Sequence, residues 1–197
     1  MSQKISKFVF KNRRFIHIAT AVGPIPFKYF LGGTSTLFLW TAGLILMLAG
    51  ITFRAHSAGY LAGNHTTTTV KADYVCTSGP FAHIRNPLYL GNFIIGLSLC
   101  IAFNEWYGYL VFVLHFISVY SIIIPYEEKF LSDEFCAKHT EYCAYVRRFL
   151  PRLKPFKGGT PVASNFKLGI SSEKYHLLIL ILIFAILYFL FINGVRL

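Results

Sequence analysis

Acidic residues are scarce in this chain, with eight Asp and Glu among 197 residues against nineteen Lys and Arg. Charge of either sign is thin at 14%, where soluble domains carry about 25%. The signatures of several enzyme classes are missing as well. There is no Walker loop, no Gly-x-Gly-x-x-Gly and no Gly-x-Ser-x-Gly. The seven histidines form no HxxxH or HxxHH array, which argues against a di-iron oxygenase or a zinc site. The four cysteines, Cys76, Cys100, Cys136 and Cys143, include no CxxC pair, so neither a metal knuckle nor a disulfide framework is expected.

What the chain has is apolar length. Hydrophobic residues make up 55% and mean hydropathy is +0.54, in runs long enough to cross a bilayer. These features describe an integral membrane protein. Five apolar segments are predicted: about Phe15 to Phe30, Thr34 to Phe53, Leu88 to Phe103, Tyr109 to Ile124, and His176 to Ile192. The first is interrupted by His17, Pro24, Pro26 and Lys28; its apolar start is too short for a secretory h-region and reads as a retained span. Pro125 should stop the fourth segment. Phe130, Leu131, Phe135, Tyr142, Tyr145, Val146 and Phe149 then recur at helical spacing, which predicts an amphipathic cytoplasmic helix ending at Pro151. Thr66–Val70 and Tyr74–Thr77 are candidate short extended pieces.

The expected fold is therefore all-α: a polytopic membrane helix bundle of about five transmembrane helices plus that amphipathic helix. It forms one domain over 1–197, with a hairpin at 15–53, a core at 54–155, and a linker with the last helix at 156–197. Seventeen of the nineteen basic residues fall on one side of such a five-crossing chain. The positive-inside rule makes that side, with the N-terminus, cytoplasmic, in a bacterial inner membrane or the endoplasmic reticulum. The basic excess then reads as topology and anionic lipid contact, not nucleic-acid binding. No obligate protein partner is evident.

Two short stretches carry the chemistry. Thr77-Ser78-Gly79-Pro80-Phe81 runs through His83 to Arg85-Asn86-Pro87-Leu88-Tyr89-Leu90-Gly91, and Pro125-Tyr126-Glu127-Glu128 follows the fourth apolar segment. Residues before proline avoid the α region, so Arg85 and Asn86 are held at the mouth of the third helix. Arg85 can grip a carboxylate or phosphate bidentately, and Asn86 offers one acceptor and two donors. Glu127 and Glu128 diverge by about 100° on a helix and cannot serve one target equally. The plainer readings are lipid anchoring by Arg85, helix-dipole charge for the Glu pair, helix packing for Gly91 and a structural role for His83.

In order and spacing, these pieces, followed by Phe135, Tyr142, Tyr145 and Phe149-Leu150-Pro151, resemble the isoprenylcysteine carboxyl methyltransferase and phospholipid methyltransferase group of integral membrane enzymes. The resemblance covers about Arg54 to Pro155. It implies S-adenosylmethionine as cofactor, no metal, and a lipid or lipidated acceptor. It further implies Arg85, Asn86 and Glu128 as catalytic residues, with Asn86, Tyr89, Leu90, Gly91, Glu127, Glu128, Leu150 and Pro151 around the cofactor. Glu127 or Glu128 would take the ammonium, Arg85, Asn86 and Tyr89 the polar methionine or acceptor end, and Phe149-Leu150-Pro151 the adenine. Asn86 stands where the group has His; it still hydrogen-bonds but does not titrate near neutrality. Two rivals stay open, a nicotinamide-dependent sterol-type reductase and a non-enzymatic membrane scaffold.

Overall fold

The longest charge-free apolar run becomes the centre of the bundle. In the computed structural model, which describes residues 3–22, 35–61, 72–159 and 161–192, helix α2 spans Leu37–Gly59. Thr36 caps it, its hydroxyl accepting from the Leu39 amide at 3.3 Å. Helix α1 is Gln3–Val22, α3 is Pro87–Phe103, α4 is Trp106–Tyr145 and α5 is Phe166–Ile192. A single 3-10 turn, Gly79–Ala82, precedes α3. Among the described residues there is no strand, so Tyr74–Thr77 is not extended pairing; Thr66–Val70 lies outside the described residues.

The helices lie in the spatial order α1, α4, α3, α2, α5. The α2–α3 pair is antiparallel and tight because glycines face it. A Cβ added at Gly43 would meet the Ser98 carbonyl at 2.8 Å and the Ala102 Cβ at 3.0 Å, so the backbones approach as only a small residue allows. Gly43→Val is expected to lower the apparent Tm in detergent, by an overpacking cost of about 1–3 kcal/mol. An unchanged melting curve would mean the two helices can separate without loss. On the far side of α2, Trp40 is buried among Phe103, Phe184, Tyr188 and Phe191. On the other flank, Phe10 of α1 packs against Tyr126 of α4, and His17 against Tyr120, so α1 runs antiparallel to α4.

The all-α bundle is as expected, but the count of about five transmembrane helices is not. Among the described residues two helices, α2 and α4, are long and apolar enough to cross a bilayer, and α5 makes a third only if its two pieces, Phe166–Tyr175 and Leu177–Phe189, bent by 58°, count as one span. Helix α3 is apolar but has 17 residues, about 26 Å at 1.5 Å per residue against a hydrocarbon core of about 30 Å. Helix α1 starts twelve residues before the predicted span and holds Lys4, Lys7, Lys11 and Arg13, so it is apolar on one face only. Residues 23–30 of that predicted span lie outside the described residues.

The separate amphipathic helix is also corrected. Pro125 does not stop α4, which is 40 residues long and runs on to Tyr145, because one proline deprives a helix of a single donor. The real break is at Cys136, whose φ of 41° and ψ of −112° are non-helical. At Tyr145 the helix ends, and the chain turns back across the start of α3.

Candidate functional site

Pro87 fixes the geometry on which the site is built. It occupies the first turn of α3, where a missing N–H costs nothing, and it forces Asn86 out of the α region, to φ −122° and ψ 58°. The preceding segment is then stitched to the chain leaving α4. The Arg85 amide donates to the Arg147 carbonyl at 2.9 Å, the Arg152 amide to His83 at 2.9 Å, and the Phe156 amide to Ala82 at 2.9 Å. The Tyr142 hydroxyl donates to the Phe81 carbonyl at 2.7 Å, closing the same seam from the helix side. Two segments sixty residues apart thus form one rigid rim.

A cleft of about 920 Å³ opens beneath that rim, lined by Arg85, Asn86, Tyr89, Glu127, Glu128 and Tyr142 among others. Five of the residues singled out from sequence therefore converge on one concavity. Glu128 accepts from Arg85 Nη1 at 3.0 Å and from Arg148 Nε at 3.0 and 3.1 Å, with Arg148 Nη2 on the same carboxylate. The Glu128 carboxylate holds the Arg148 guanidinium above its ordinary pKa. Arg85 also donates to Cys143 Sγ at 2.9 Å, and its buried Nε has no partner among the described residues. The Asn86 side-chain amide donates to the Arg148 carbonyl at 3.3 Å. Glu127 takes the other side, beside the Tyr89 hydroxyl and Arg13 of α1. The adjacent carboxylates have divided as their angular divergence requires: one between two arginines, one against a tyrosine.

The other expected residues are elsewhere. Leu90 is not in the cleft wall, and Gly91 is buried against α2, where an added Cβ would meet the Arg54 Cβ at 2.9 Å, a helix-packing role. Leu150 is 67% exposed and Pro151 is exposed, and neither lines the cleft; only Phe149 turns inward, 5.9 Å from the Phe116 ring. Sequence motifs do not single out Arg148, one of the basic residues read as topology, or His139, which lines the cleft and lies 3.4 Å from Cys143 Sγ. The i, i+4 spacing of His139 and Cys143 on a helix was the one available signal. Cys76, also in the wall, is protonated near neutrality because burial pushes its thiol up to about 11. All four cysteines are free, and the described residues hold no group of three or more metal-ligating side chains.

Chemically, the cleft offers an Arg85–Glu128 pair with the half-exposed Arg148 on its outer side, an unpaired guanidinium N–H, an amide and a separate carboxylate. No solved structure matches the chain. The cobalt-zinc-cadmium resistance protein CzcN of Cupriavidus metallidurans is 30% identical over 145 residues, which is 71% of this chain and 62% of that protein, so the chain spans less than two thirds of this relative. The phospholipid methyltransferase family matches residues 38–138, from the second residue of α2 to the far part of α4. That stretch includes Arg85, Asn86, Tyr89, Glu127 and Glu128, and the chain belongs to the phospholipid methyltransferase family.

Proposed function

We propose that this multi-pass membrane protein transfers the methyl group of S-adenosylmethionine to a membrane-embedded lipid or lipidated acceptor. The observation that carries the reading is the convergence of Arg85, Asn86, Tyr89, Glu127 and Glu128 on one cleft within the family-matched region. Its donor set fits the group. Arg85 and Arg148, with one carboxylate between them, suit the methionine carboxylate; the unpaired Arg85 Nε is a donor in need of an acceptor. Glu127, apart from that unit, suits the ammonium. When bound, S-adenosylmethionine supplies an already activated methyl group, so no metal is needed. The chain's own residues orient the head group, exclude water and hold the reactants in line.

The site-bearing end is assigned to the cytoplasm. Arg85, Lys129, Lys138, Arg147, Arg148 and Arg152 lie at that end, and the antiparallel α1 brings Lys4, Lys7 and Lys11 there too. The test is transfer of tritium from methyl-labelled S-adenosylmethionine into the lipid phase of membranes containing the protein. Label in an organic-extractable product, lost in Glu127→Gln, is the expected result; no label above a protein-free control would contradict it.

A further inference from the structure

A second cleft lies between α1, α3 and α4 and reaches the α3–α4 turn. It too measures about 920 Å³ with its open mouth included, and its wall is mainly apolar, with Ile95, Leu99, Phe112 and Phe116. Tyr120 stands where it adjoins the first cleft: its ring is 4.6 Å from that of Tyr89, which lines the first. One wall carries a continuous line of hydrogen bonds through the apolar interior. Arg54 Nη1 donates to Asn92 Oδ1 at 2.7 Å, and Asn92 Nδ2 donates to the Tyr120 oxygen at 2.7 Å. Tyr120 meets His17 Nε2 at 3.3 Å, His17 Nδ1 meets His115 Nε2 at 2.8 Å, and His115 Nδ1 meets Thr20 Oγ1 at 2.9 Å.

The direction of this line follows from its ends. Arg54 is only a donor, so Asn92 must present oxygen to it and N–H to Tyr120. At the other end, Thr20 spends its proton on the Ile16 carbonyl at 2.9 Å, so it accepts from His115 Nδ1–H. Neutral His115 then accepts at Nε2 from His17 Nδ1–H, and His17 accepts at Nε2 from the Tyr120 hydroxyl. Both ends dictate one set of tautomers, with every proton pointing from Tyr120 toward His115. Ionisable side chains are rare at membrane depth and mark proton paths. Two of these residues, His17 and Thr20, lie outside the family-matched stretch.

We propose that Tyr120, His17 and His115 form a proton relay for the methyl acceptor, and that the acceptor is an isoprenoid- or acyl-tailed phenol or alcohol seated in this cleft. The inference rests on the methyltransferase reading. An O–H acceptor must lose its proton to become nucleophilic, whereas a carboxylate has none to lose. The Tyr120 oxygen has a second lone pair for that O–H. As the acceptor oxygen takes the methyl group, the carbon–sulfur bond of the sulfonium breaks and leaves a neutral thioether. The O–H proton passes to Tyr120, the Tyr120 proton to His17 Nε2, and the His17 Nδ1 proton to His115, which becomes imidazolium with Nδ1–H still on Thr20. At the Tyr120 end the wall suits a neutral head group, since the Arg54 charge is matched by Glu173, and the carboxylate of Glu105 lies at the α4 cap. Other ionisable groups facing the relay are Tyr89 and Cys100 of α3, and Tyr107 and Glu127 of α4, with Glu105 at the α4 cap and Arg13 one turn along α1.

The test uses the full chain in lipid nanodiscs with a geranylated phenol and, as the acceptor that releases no proton, N-acetyl-S-farnesylcysteine. Turnover of the phenol is expected, with kcat rising with pH as the relay imidazole loses its proton. His115→Asn should lower that kcat about 100-fold, leave KM within about twofold, and flatten the rise. Nitrogen-15 NMR of histidine-labelled protein should show His17 and His115 as Nδ1–H tautomers. Binding of S-adenosylhomocysteine by the variant reports an intact fold and cofactor site. Wild-type protein that fails to bind S-adenosylhomocysteine refutes the methyltransferase reading itself. Binding with turnover of the carboxylate alone, with no turnover of the phenol, with the opposite tautomers, or with an unaltered pH profile in His115→Asn, overturns the relay alone.

Discussion

Glu128→Gln should weaken S-adenosylhomocysteine binding roughly 30- to 100-fold, about 2–3 kcal/mol. The carboxylate accepts from two guanidinium groups, and charge-assisted bonds of this kind contribute about 1.5–3 kcal/mol each where water is excluded. Arg85 is only 16% exposed, so its lost partner is not replaced by bulk solvent. Arg148 is 52% exposed, and its half of the unit is worth much less. The two cations would then repel across the cleft and swing the Arg147–Arg148 segment away from Asn86. Thermal stability should fall as well, because Arg85 keeps a largely buried charge without its partner. Isothermal titration of the variant checks this; a Kd within threefold of wild type would mean that Glu128 does not shape the binding site.

Glu173→Gln should lower the stability of the bundle by about 3–5 kcal/mol, the usual cost of breaking a buried ion pair on one side. Arg54 and Glu173 are 10% and 4% exposed, and three nitrogen–oxygen approaches of 3.0–3.1 Å join them. Arg54 also donates to the Leu88 carbonyl at 3.0 Å and to Asn92, so it ties α5, α3 and α2 at one point. Gly91 is beneath it, where an added Cβ would meet the Arg54 Cβ at 2.9 Å. Arg54→Met should be worse still, leaving a carboxylate, a carbonyl and an amide oxygen without their donor. The double variant Arg54→Met/Glu173→Leu should recover part of the loss, because it leaves no bare charge. Thermal unfolding followed by fluorescence-detected size exclusion measures all three; equal midpoints across the series would show the pair to be idle.

The parts of the site legible in the sequence are those that local chemistry dictates. Pro87 sets a helix start wherever it falls, which placed Asn86 and Tyr89 correctly at the mouth of α3. Two adjacent glutamates on a helix must diverge, and they do. Arg148 and His139 depend on the chain returning from α4 across the segment before α3, and nothing local signals that return. The His17–His115 contact spans 98 positions and needs α1 antiparallel to α4. The miscounted spans have a similar cause. A hydropathy window does not register that α1 began in a basic stretch, that α3 is one turn short, or that the helix continues through Pro125. Leu90, Leu150 and Pro151 were carried by family likeness alone, and their side chains do not face the cleft.

Calorimetric titration of S-adenosylhomocysteine into the purified full chain in nanodiscs, with NADPH in parallel, tests the central claim most directly. Saturable binding of the nucleoside at one site per chain, with no heat from NADPH, is the expected result. Binding of NADPH instead, or of neither by protein shown to be folded, would contradict the assignment of the Arg85–Glu128 cleft to a methyl donor.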